Sequence, residues 1–265
     1  MISVITINYN NLEGLKRTIE SVFQQTSSDY EYIIIDGGSK DGSAELIEKH
    51  KERFSYWTSE PDGGIYEGMN KGISHATGEY CLFLNSGDEF AEKGVLEKVN
   101  IAINGEADYY VGSMFREDWN KGVVIPPKTI SASYMLIRSL PHQSMFIRTE
   151  LLKNSNFDTK YRIIADWEQQ VREIVLNDAT YRRLDFLVSK FDISGVSNTK
   201  TAESISEREK ATHALLSNSI IESLRGRDKL ETKLLYSMSK DTDLQKGFKI
   251  LTVALKYIWR GLTSF

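Results

Sequence analysis

Apolar runs and amphipathic stretches alternate along the first ninety residues of the chain. The segment "NNLEGLKRTIESVFQQ" spaces its apolar residues three or four apart, which predicts a helix with Asn10 or Asn11 as its N-cap. The Ile run in "YEYIIIDGG" is typical of a strand that is buried on both faces. The other segments continue the alternation, with strands at "ISVITINY", "YWTSE" and "EYCLFLN" and helices at "SAELIEKHKERF" and "IYEGMNKGISHA". This order predicts an α/β fold in which right-handed crossovers join parallel strands.

The pattern weakens after residue 90. Further strands are predicted at "ADYYVGSMF" and "GVVIPP", as an antiparallel pair, then at "HQSMFIR" and finally at "FLVSKFDI". The segment "ADWEQQVREIVL" predicts a helix. Charged helical sequence begins at Thr201, so we place a boundary near residue 200. Residues 1–200 are expected to form one α/β domain, and residues 201–265 a C-terminal helical extension.

Three aspartates follow successive predicted strands at a constant interval. Asp36 ends the second strand, Asp62 follows the third and Asp88 follows the fourth, each 26 residues from the next. Because ligands of open parallel sheets bind outside the carboxyl ends of the strands, the three side chains together predict a binding site. Aspartate is also a common turn residue, and "DGGSKDGS" taken alone is consistent with a flexible loop.

Composition narrows the classes of function. The 265 residues include 33 basic and 37 acidic ones, and the net charge of −4 gives no general affinity for nucleic acid. The sole cysteine, Cys81, lies in an apolar run, which indicates a core residue of a protein kept in a reducing compartment. The start of the chain lacks a signal-peptide pattern, and no apolar run approaches the ~20 residues of a membrane span. We therefore expect a cytoplasmic protein.

The residues that follow the strands favour one ligand chemistry. Clustered Asn, Asp and Gly suit Mg²⁺ or Mn²⁺, which such sites hold by one or two carboxylates together with substrate phosphates. The chain lacks the acid spacing of a calcium loop, a GxGxxG fingerprint after its first strand and a GK[ST] phosphate loop. Four scattered histidines and one cysteine argue against a zinc site. The sequence thus predicts a phosphorylated ligand held through a divalent metal and side chains.

Several segments together resemble a known enzyme family. Over roughly residues 2–197 the chain is similar to the inverting family 2 glycosyltransferases of GT-A fold, and most similar to the bacterial branch that builds capsule, exopolysaccharide and O-antigen units. The segments that carry this resemblance are "VITINYNNLEGLKRTIESV", "IIIDGGSKDGS", "SEPDGGIYEGMNKGISHATGEYCLFLNSGDEF" and "ADWEQQVR". It implies a Rossmann-like nucleotide-diphospho-sugar transferase fold with a mixed sheet flanked by helices. It also implies transfer from a nucleotide sugar, with a UDP-sugar expected, to a hydroxyl of a glycan or polyprenyl-linked acceptor, with Mn²⁺ or Mg²⁺ as cofactor.

The resemblance assigns six side chains to the nucleotide and its sugar. Asp36 would hydrogen-bond the base, usually uracil, whose N3–H group matches a carboxylate acceptor. Asp62 would face the nucleotide or its sugar. The remaining four flank the nucleotide or line the donor pocket: Asn8, Tyr9, Asn70 and Lys71. The last two are also consistent with an ordinary helix surface.

The resemblance also locates the metal. Many relatives have Asp-Ser-Asp-Asp after the fourth strand, where this chain has Asn85-Ser86-Gly87-Asp88. Asp88 is therefore the expected metal ligand, while Asn85 offers a carbonyl oxygen or binds the ribose. With two carboxylates missing, the metal should bind weakly until the diphosphate arrives with its own oxygens.

The expected catalytic base lies in the segment "IIADWEQQ". Asp166 matches the acidic residue of the family's ED motif, with Ala165 where the usual Glu would stand and Glu168 as the second candidate. An Asp at this position is also ordinary helix capping. In "PHQSMF", His142 and Gln143 match a family segment near the acceptor and the donor sugar.

Two other functions are consistent with these residues. A nucleotidyltransferase uses a similar sheet and metal, but "NYNNLEGLK" does not supply its glycine-rich basic loop. A non-catalytic relative that binds sugar nucleotides or glycans would explain the reduced metal motif. UDP release, measured with and without acceptor and Mn²⁺, distinguishes the three.

The C-terminal segment has a separate character. "QKGFKILTVALKYIWRGLTSF" carries apolar residues at helical spacing together with basic ones, and no acid follows Asp243. A helix with aromatic and basic residues suits an anionic membrane surface. We therefore expect peripheral attachment to the cytoplasmic face of the inner membrane; the alternative is packing on the catalytic domain or on a partner subunit.

Overall fold

The predicted strands form one mixed sheet. A computed structural model describes residues 1–118, 122–193 and 201–223. Its strands are β1 (Ile2–Asn8), β2 (Tyr30–Asp36), β3 (Tyr56–Ser59), β4 (Tyr80–Phe83), β5 (Glu89–Phe90), β6 (Tyr109–Phe115), β7 (Val123–Val124), β8 (Met145–Arg148) and β9 (Tyr181–Lys190). Within the described residues their order is β3-β2-β1-β4-β8-β6-β9-β5, and β7 pairs with β6.

The first four strands are parallel, as the alternation predicts. β1 lies between β2 and β4, and β3 pairs with β2 at the edge. The register places Asn8 beside Asp36, and Asp36 beside Ser59. The ends of three strands therefore meet at one edge of the sheet. The second half of the sheet is mixed, because β8 runs antiparallel to β4 and β6 while β9 runs parallel to β6.

Helices cover the sheet. They are α1 (Leu12–Phe23), α2 (Ser43–Lys49), α3 (Ile65–His75), α4 (Val95–Ala102), α5 (Ala132–Ile137), α6 (Thr149–Asn154), α7 (Ala165–Gln170) and α8 (Thr201–Leu215). Short 3₁₀ turns cover Lys51–Arg53 and His142–Ser144, and a π-helical turn, Val171–Leu176, continues α7. Asn11 is the N-cap of α1 and accepts from the Gly14 N–H at 3.1 Å. Helices α4, α5 and α6 were not predicted, because helices of six to eight residues are too short to show a clear periodic pattern.

The core has two parts, one for each face of the sheet. Ile33 and Ile35 pack with α3, whereas Ile34 packs with α1. Every residue of the Ile run is thus buried, which confirms the interpretation of β2 as a strand covered on both faces. Cys81 is also fully buried, and burial raises the pKa of its thiol to about 12, so it is a core residue.

The first compact unit of the chain continues past the predicted boundary. It covers Met1–Leu215, and the second unit covers Leu216–Phe265. Helix α8 lies within this first unit and makes polar contacts with the turn before α7. The carboxylate of Glu207, for example, accepts from the backbone N–H groups of Arg162 and Ile163. The domain division expected near residue 200 stays a prediction.

The predicted membrane-binding segment lies outside the described residues, and peripheral attachment stays a prediction. Within residues 1–118, 122–193 and 201–223, no helix is long and apolar enough to cross a bilayer.

A buried carboxylate ties the sheet together at the edge opposite the aspartates. Glu31, at the start of β2, accepts from the Ser3 hydroxyl and from the Thr77 and Gly78 N–H groups before β4. Burial alone would raise the pKa of Glu31, but these hydrogen bonds outweigh it and hold the pKa below its ordinary value.

We expect Glu31→Gln to lower the free energy of unfolding by ~2 kcal/mol at pH 7, since it removes charge-assisted hydrogen bonds. A group with a lowered pKa in the folded state stabilises above its unfolded pKa, and this contribution is lost as the pH falls. The difference from wild type should therefore shrink below pH 4.5, the ordinary value for Glu31. Urea unfolding at several pH values measures this difference in the free energy of unfolding. Glu20→Gln, at an exposed position of α1, is the control, and a pH-independent difference would contradict the electrostatic explanation.

Candidate active site at the carboxyl ends of the strands

Asp36 is the centre of a hydrogen-bond network that joins the ends of β1, β2 and β3. Its carboxylate accepts from Asn8 Nδ2 at 2.7 Å, from the Ser59 hydroxyl at 2.6 Å and from both the hydroxyl and the N–H of Ser39. Asp36 and Asn8 are both buried. Direct contact between Asp36 and a nucleotide base stays a prediction. It requires Ser39 or Ser59 to give up its hydrogen bond to the Asp36 carboxylate.

Tyr9 lies open beside this network. Its side chain is 67% exposed, and the position of a hypothetical Gly37 Cβ is 3.3 Å from its ring. The same position is 3.2 Å from the carboxylate of Asp62, so Tyr9 and Asp62 both lie close to Gly37. An exposed aromatic ring next to a carboxylate is suited to a flat, polar base.

Asp62 occupies the loop between β3 and α3. Its Oδ1 accepts from the Gly64 N–H at 2.9 Å, and its Oδ2 is 3.3 Å from the place where a Gly68 Cβ would be. Burial raises the pKa of Asp62, and the charges of Glu67 and Asp36 add to this effect. A positive or hydrogen-bonding group of a ligand would therefore be stabilised beside Asp62.

Asn70 and Lys71 hold neighbouring segments. The Asn70 amide donates to the Phe157 carbonyl at 2.9 Å and accepts from the Phe157 N–H at 3.0 Å. Lys71 Nζ pairs with Glu60 at 2.6 Å. The Asn70 amide is thus occupied by the backbone of Phe157, and contact of Asn70 and Lys71 with the donor stays a prediction.

The loop after β4 is fastened to α1. The Thr18 hydroxyl donates to the Asp88 carbonyl at 2.7 Å and accepts from the Gly87 N–H at 2.9 Å. Gly87 has a φ of 106°, a backbone conformation that residues with a side chain rarely adopt. The Oδ1 atom of Asn85 is buried and has no hydrogen-bond partner. The loop therefore presents an unsatisfied amide oxygen next to Asp88.

A second carboxylate, from the end of β9, lies against this loop. The Asp192 N–H donates to Asp88 Oδ1 at 2.9 Å. A Cβ on Gly87 would be 2.3 Å from Asp192 Oδ2, so the Asp192 carboxylate fills the space that a side chain at position 87 would take. Arg17 pairs with this carboxylate at 2.9 Å. Burial raises the pKa of Asp88 to about 7, although the charge of His142 and the hydrogen bond from the Asp192 N–H act to lower it.

Asp166 and His142 form an ion pair on the other side of the site. The His142 Nδ1 atom is 3.3 Å from Asp166 Oδ2, and the Tyr66 hydroxyl donates to Asp166 Oδ1 at 2.7 Å. Burial alone would raise the pKa of Asp166, but its bonds with His142 and Tyr66 hold it below the ordinary value. Burial would likewise lower the pKa of His142, but Asp166 and Asp88 raise it. The pair thus favours a carboxylate and an imidazolium.

Glu168 does not fit the part of a second candidate base. It is only 4% exposed, and Arg172 binds both of its carboxylate oxygens at 3.1 and 3.3 Å. This pairing joins α7 to the π-helical turn and leaves the carboxylate without access to an acceptor. Gln143 is also buried, in the 3₁₀ turn that carries His142.

Comparison with known proteins identifies the family. Residues 3–165 match the family model described as "Glycosyl transferase family 2". The chain belongs to this family. A Mycobacterium tuberculosis protein named as an uncharacterized glycosyltransferase is 34% identical over 210 residues, which cover 77% of this chain and 79% of the relative. The resemblance stated from the motifs is confirmed.

Solved structures confirm the fold of this family 2 glycosyltransferase. S. aureus TarS 1–349 in complex with UDP-GlcNAc matches with a TM-score of 0.62 and 19% identity, and the match covers 75% of this chain and 60% of the TarS 1–349 chain. The mannosyltransferase PcManGT from Pyrobaculum calidifontis, in complex with GDP-Man and Mn²⁺, matches with a TM-score of 0.59 and 14% identity over 98% of this chain and 87% of its own. At these identities the likeness establishes the GT-A fold, a mixed sheet flanked by helices.

The donor atoms of this glycosyltransferase fit a divalent metal that arrives with a diphosphate. Among the residues that the structure describes, no three His, Cys, Asp or Glu side chains form a group that could hold a metal. Asp88 and the unpartnered Asn85 Oδ1 are hard oxygen donors in one loop. Mg²⁺ and Mn²⁺ bind such partial sets and complete their coordination with phosphate oxygens and water.

Two parts of the site were not predicted. One is Asp192, which lies two residues after β9 and contacts Asp88, a position far away in the sequence. Glu207 and Arg208 contact the segment that carries Asp166, but their charged helix resembles an ordinary solvated one in sequence.

Proposed function

We propose that this family 2 glycosyltransferase inverts the anomeric centre of a sugar as it moves the sugar from a UDP-sugar to a hydroxyl of a glycan or polyprenyl-linked acceptor. The setting would be the biosynthesis of a surface polysaccharide. The observation that carries the proposal is the placement of Asp166: a carboxylate with a lowered pKa, paired with His142, whose charge also acts on Asp88. The proposed base and the proposed metal ligand thus both interact electrostatically with one histidine.

Asp166 would act as the general base. The acceptor oxygen forms a bond to C1 of the sugar while the bond from C1 to the diphosphate oxygen breaks, and its electron pair leaves with the diphosphate. Asp166 receives the hydroxyl proton, as general-base catalysis requires. The hydrogen bonds from Tyr66 and His142 orient its two oxygens. Attack on the face opposite the diphosphate inverts the configuration at C1.

The other end of the site would bind the donor. Tyr9 and the Asp36 network lie where the base would stack, and Asp62 lies beside them. A divalent metal held by Asp88 and Asn85 would neutralise charge on the departing diphosphate. Support for a nucleotide-sugar donor and for a metal comes from the fold neighbours, since TarS binds UDP-GlcNAc and PcManGT binds GDP-Man and Mn²⁺ in their structures.

The test is UDP release from UDP-glucose, UDP-galactose and UDP-N-acetylglucosamine, with and without Mn²⁺ and a polyprenyl-diphosphate-linked sugar. We expect Mn²⁺-stimulated release that the acceptor accelerates, and NMR of the product should show the inverted anomer. Retention of configuration would overturn the inverting mechanism. UDP binding without release from any donor would favour the non-catalytic relative, and release of pyrophosphate from UTP and a sugar phosphate would favour the nucleotidyltransferase.

A further inference from the structure

The helix α8 lies beyond the 3–165 span of the family model, yet it contacts the segment that carries Asp166. The Glu207 carboxylate accepts from two consecutive backbone N–H groups, that of Arg162 at 3.0 Å and that of Ile163 at 2.9 Å. These amides lie directly before α7, in which Asp166 is the second residue. A carboxylate that binds adjacent amides through separate oxygens fixes the orientation of that turn.

The turn that Glu207 binds is connected to Asp166 by a further hydrogen bond. The single proton of the Tyr66 hydroxyl is shared between two acceptors, the Ile163 carbonyl at 2.8 Å and Asp166 Oδ1 at 2.7 Å. Ile163 is thus held through its N–H by Glu207 and through its carbonyl by Tyr66. A displacement of this turn would move the Tyr66 hydroxyl and with it the bond that orients the Asp166 carboxylate.

Arg208 contacts the same region from the next position of α8. Its guanidinium lies over the Trp167 ring, 4.6 Å from the centroid, and its Nη2 is 3.4 Å from the Ser139 hydroxyl. Trp167 directly follows Asp166 and is buried, and Ser139 precedes the turn that carries His142. Burial lowers the pKa of Arg208, and the charge of Asp166 opposes this effect. Arg208 thus bridges the two segments that supply the ion pair.

We propose that Glu207 and Arg208 are positioning residues that hold Asp166 and His142 in the geometry for proton transfer. The inference rests on the proposed role of Asp166 as general base. Helix α8 is then part of the active site and not a separate appendage. The groups that act on Asp166 come from three elements: the Tyr66 hydroxyl of α3, His142 of the 3₁₀ turn and Arg208 of α8. The charge of Glu207 acts on Tyr66.

The test compares Glu207→Gln, Arg208→Met and Arg208→Lys with Glu209→Gln and Lys210→Met, two exposed positions of the same helix. We expect Glu207→Gln and Arg208→Met to lower kcat by at least ~10-fold, because small misplacements of a catalytic group are costly. The donor KM and the Kd for UDP should change less than about twofold, since neither residue contacts the nucleotide side. Arg208→Lys should recover part of kcat, and the controls should match wild type.

Two further readouts separate positioning from general structural damage. In Arg208→Met the acidic limb of the pH profile of kcat should move to higher pH by ~0.5 unit. The loss of a cation near Asp166 makes its carboxylate easier to protonate. Hydrogen exchange of the Arg162 and Ile163 amides in the resting protein should accelerate in Glu207→Gln only.

Three outcomes would overturn the inference: kcat within twofold of wild type in both variants, equal losses in the controls, or a parallel loss of UDP binding and thermal stability. The exchange measurement needs no turnover. If wild type releases UDP from no donor, the proposed function fails, while exchange at these two amides still decides whether Glu207 fixes the turn.

Discussion

Asp166→Asn should abolish sugar transfer while UDP binds within about twofold of the wild-type affinity. The amide keeps the size of the side chain but removes the group that accepts the proton of the attacking hydroxyl. Loss of a general base typically lowers the rate ~10²–10⁴-fold. UDP binding is spared because the Asp166 carboxylate bonds Tyr66 and His142, away from the Asp36 network that is expected to meet the base. Initial rates with acceptor and calorimetry with UDP measure the two effects.

Glu168→Gln is the matched control for this prediction. The Glu168 carboxylate is buried and forms an ion pair with Arg172, one helical turn away. The change should weaken this ion pair and so lower the melting temperature, and it should leave kcat nearly unchanged. The opposite pattern, with Asp166→Asn active and Glu168→Gln inactive, would transfer the role of base to Glu168.

Asp88→Ala should remove the dependence of UDP binding on Mn²⁺. Wild-type protein is expected to bind UDP more tightly with Mn²⁺, since a metal held by Asp88 and Asn85 would neutralise charge on the diphosphate. Without the carboxylate, the factor by which Mn²⁺ raises the affinity for UDP should fall by at least ~10-fold. The affinity for UDP in EDTA should stay close to that of wild type. Calorimetric titration of UDP with Mn²⁺ and with EDTA gives both numbers.

Asp36→Asn provides the contrast, because this residue is expected to act on the base and not on the metal. Its affinity for UDP should fall by a similar factor with Mn²⁺ and with EDTA. An Asp88→Ala protein that keeps the full Mn²⁺ effect would show that the metal binds elsewhere.

Features set by local sequence were predicted well. The Ile run of β2, the Asn11 cap and the equal spacing of Asp36, Asp62 and Asp88 each depend on residues within one strand–helix step. Parallel pairing then brings Asn8 beside Asp36, because the carboxyl ends of such strands share one edge.

Features set by distant partners were missed. Asp192 reaches Asp88 across 104 residues of sequence, and nothing local to "FDIS" specifies that contact. Asn70 bonds the backbone of Phe157, and a backbone partner carries no sequence signal at all. The Glu168–Arg172 ion pair was not predicted either, although a spacing of four residues on a helix is a local signal.

The contacts of helix α8 were missed for a related reason. Helix α8 is charged along much of its length, so its composition is typical of a solvated extension. Its attachment to the Asp166 segment comes from the Glu207 carboxylate and the Arg208 guanidinium. Composition reveals a helix that packs on a domain through an apolar face, whereas this helix is held partly by charged groups.

The closed network around Asp36 changes how the protein would select a nucleotide. Because its carboxylate is already saturated by Asn8, Ser39 and Ser59, an incoming N–H group exchanges with a hydroxyl instead of adding a bond. Such an exchange contributes little net affinity. A nucleotide base that presents a lone pair, and not an N–H group, to Asp36 would instead face the buried carboxylate. Discrimination would then come from repulsion of the wrong base, and tight binding of the right one would have to come from stacking on Tyr9 and from the diphosphate.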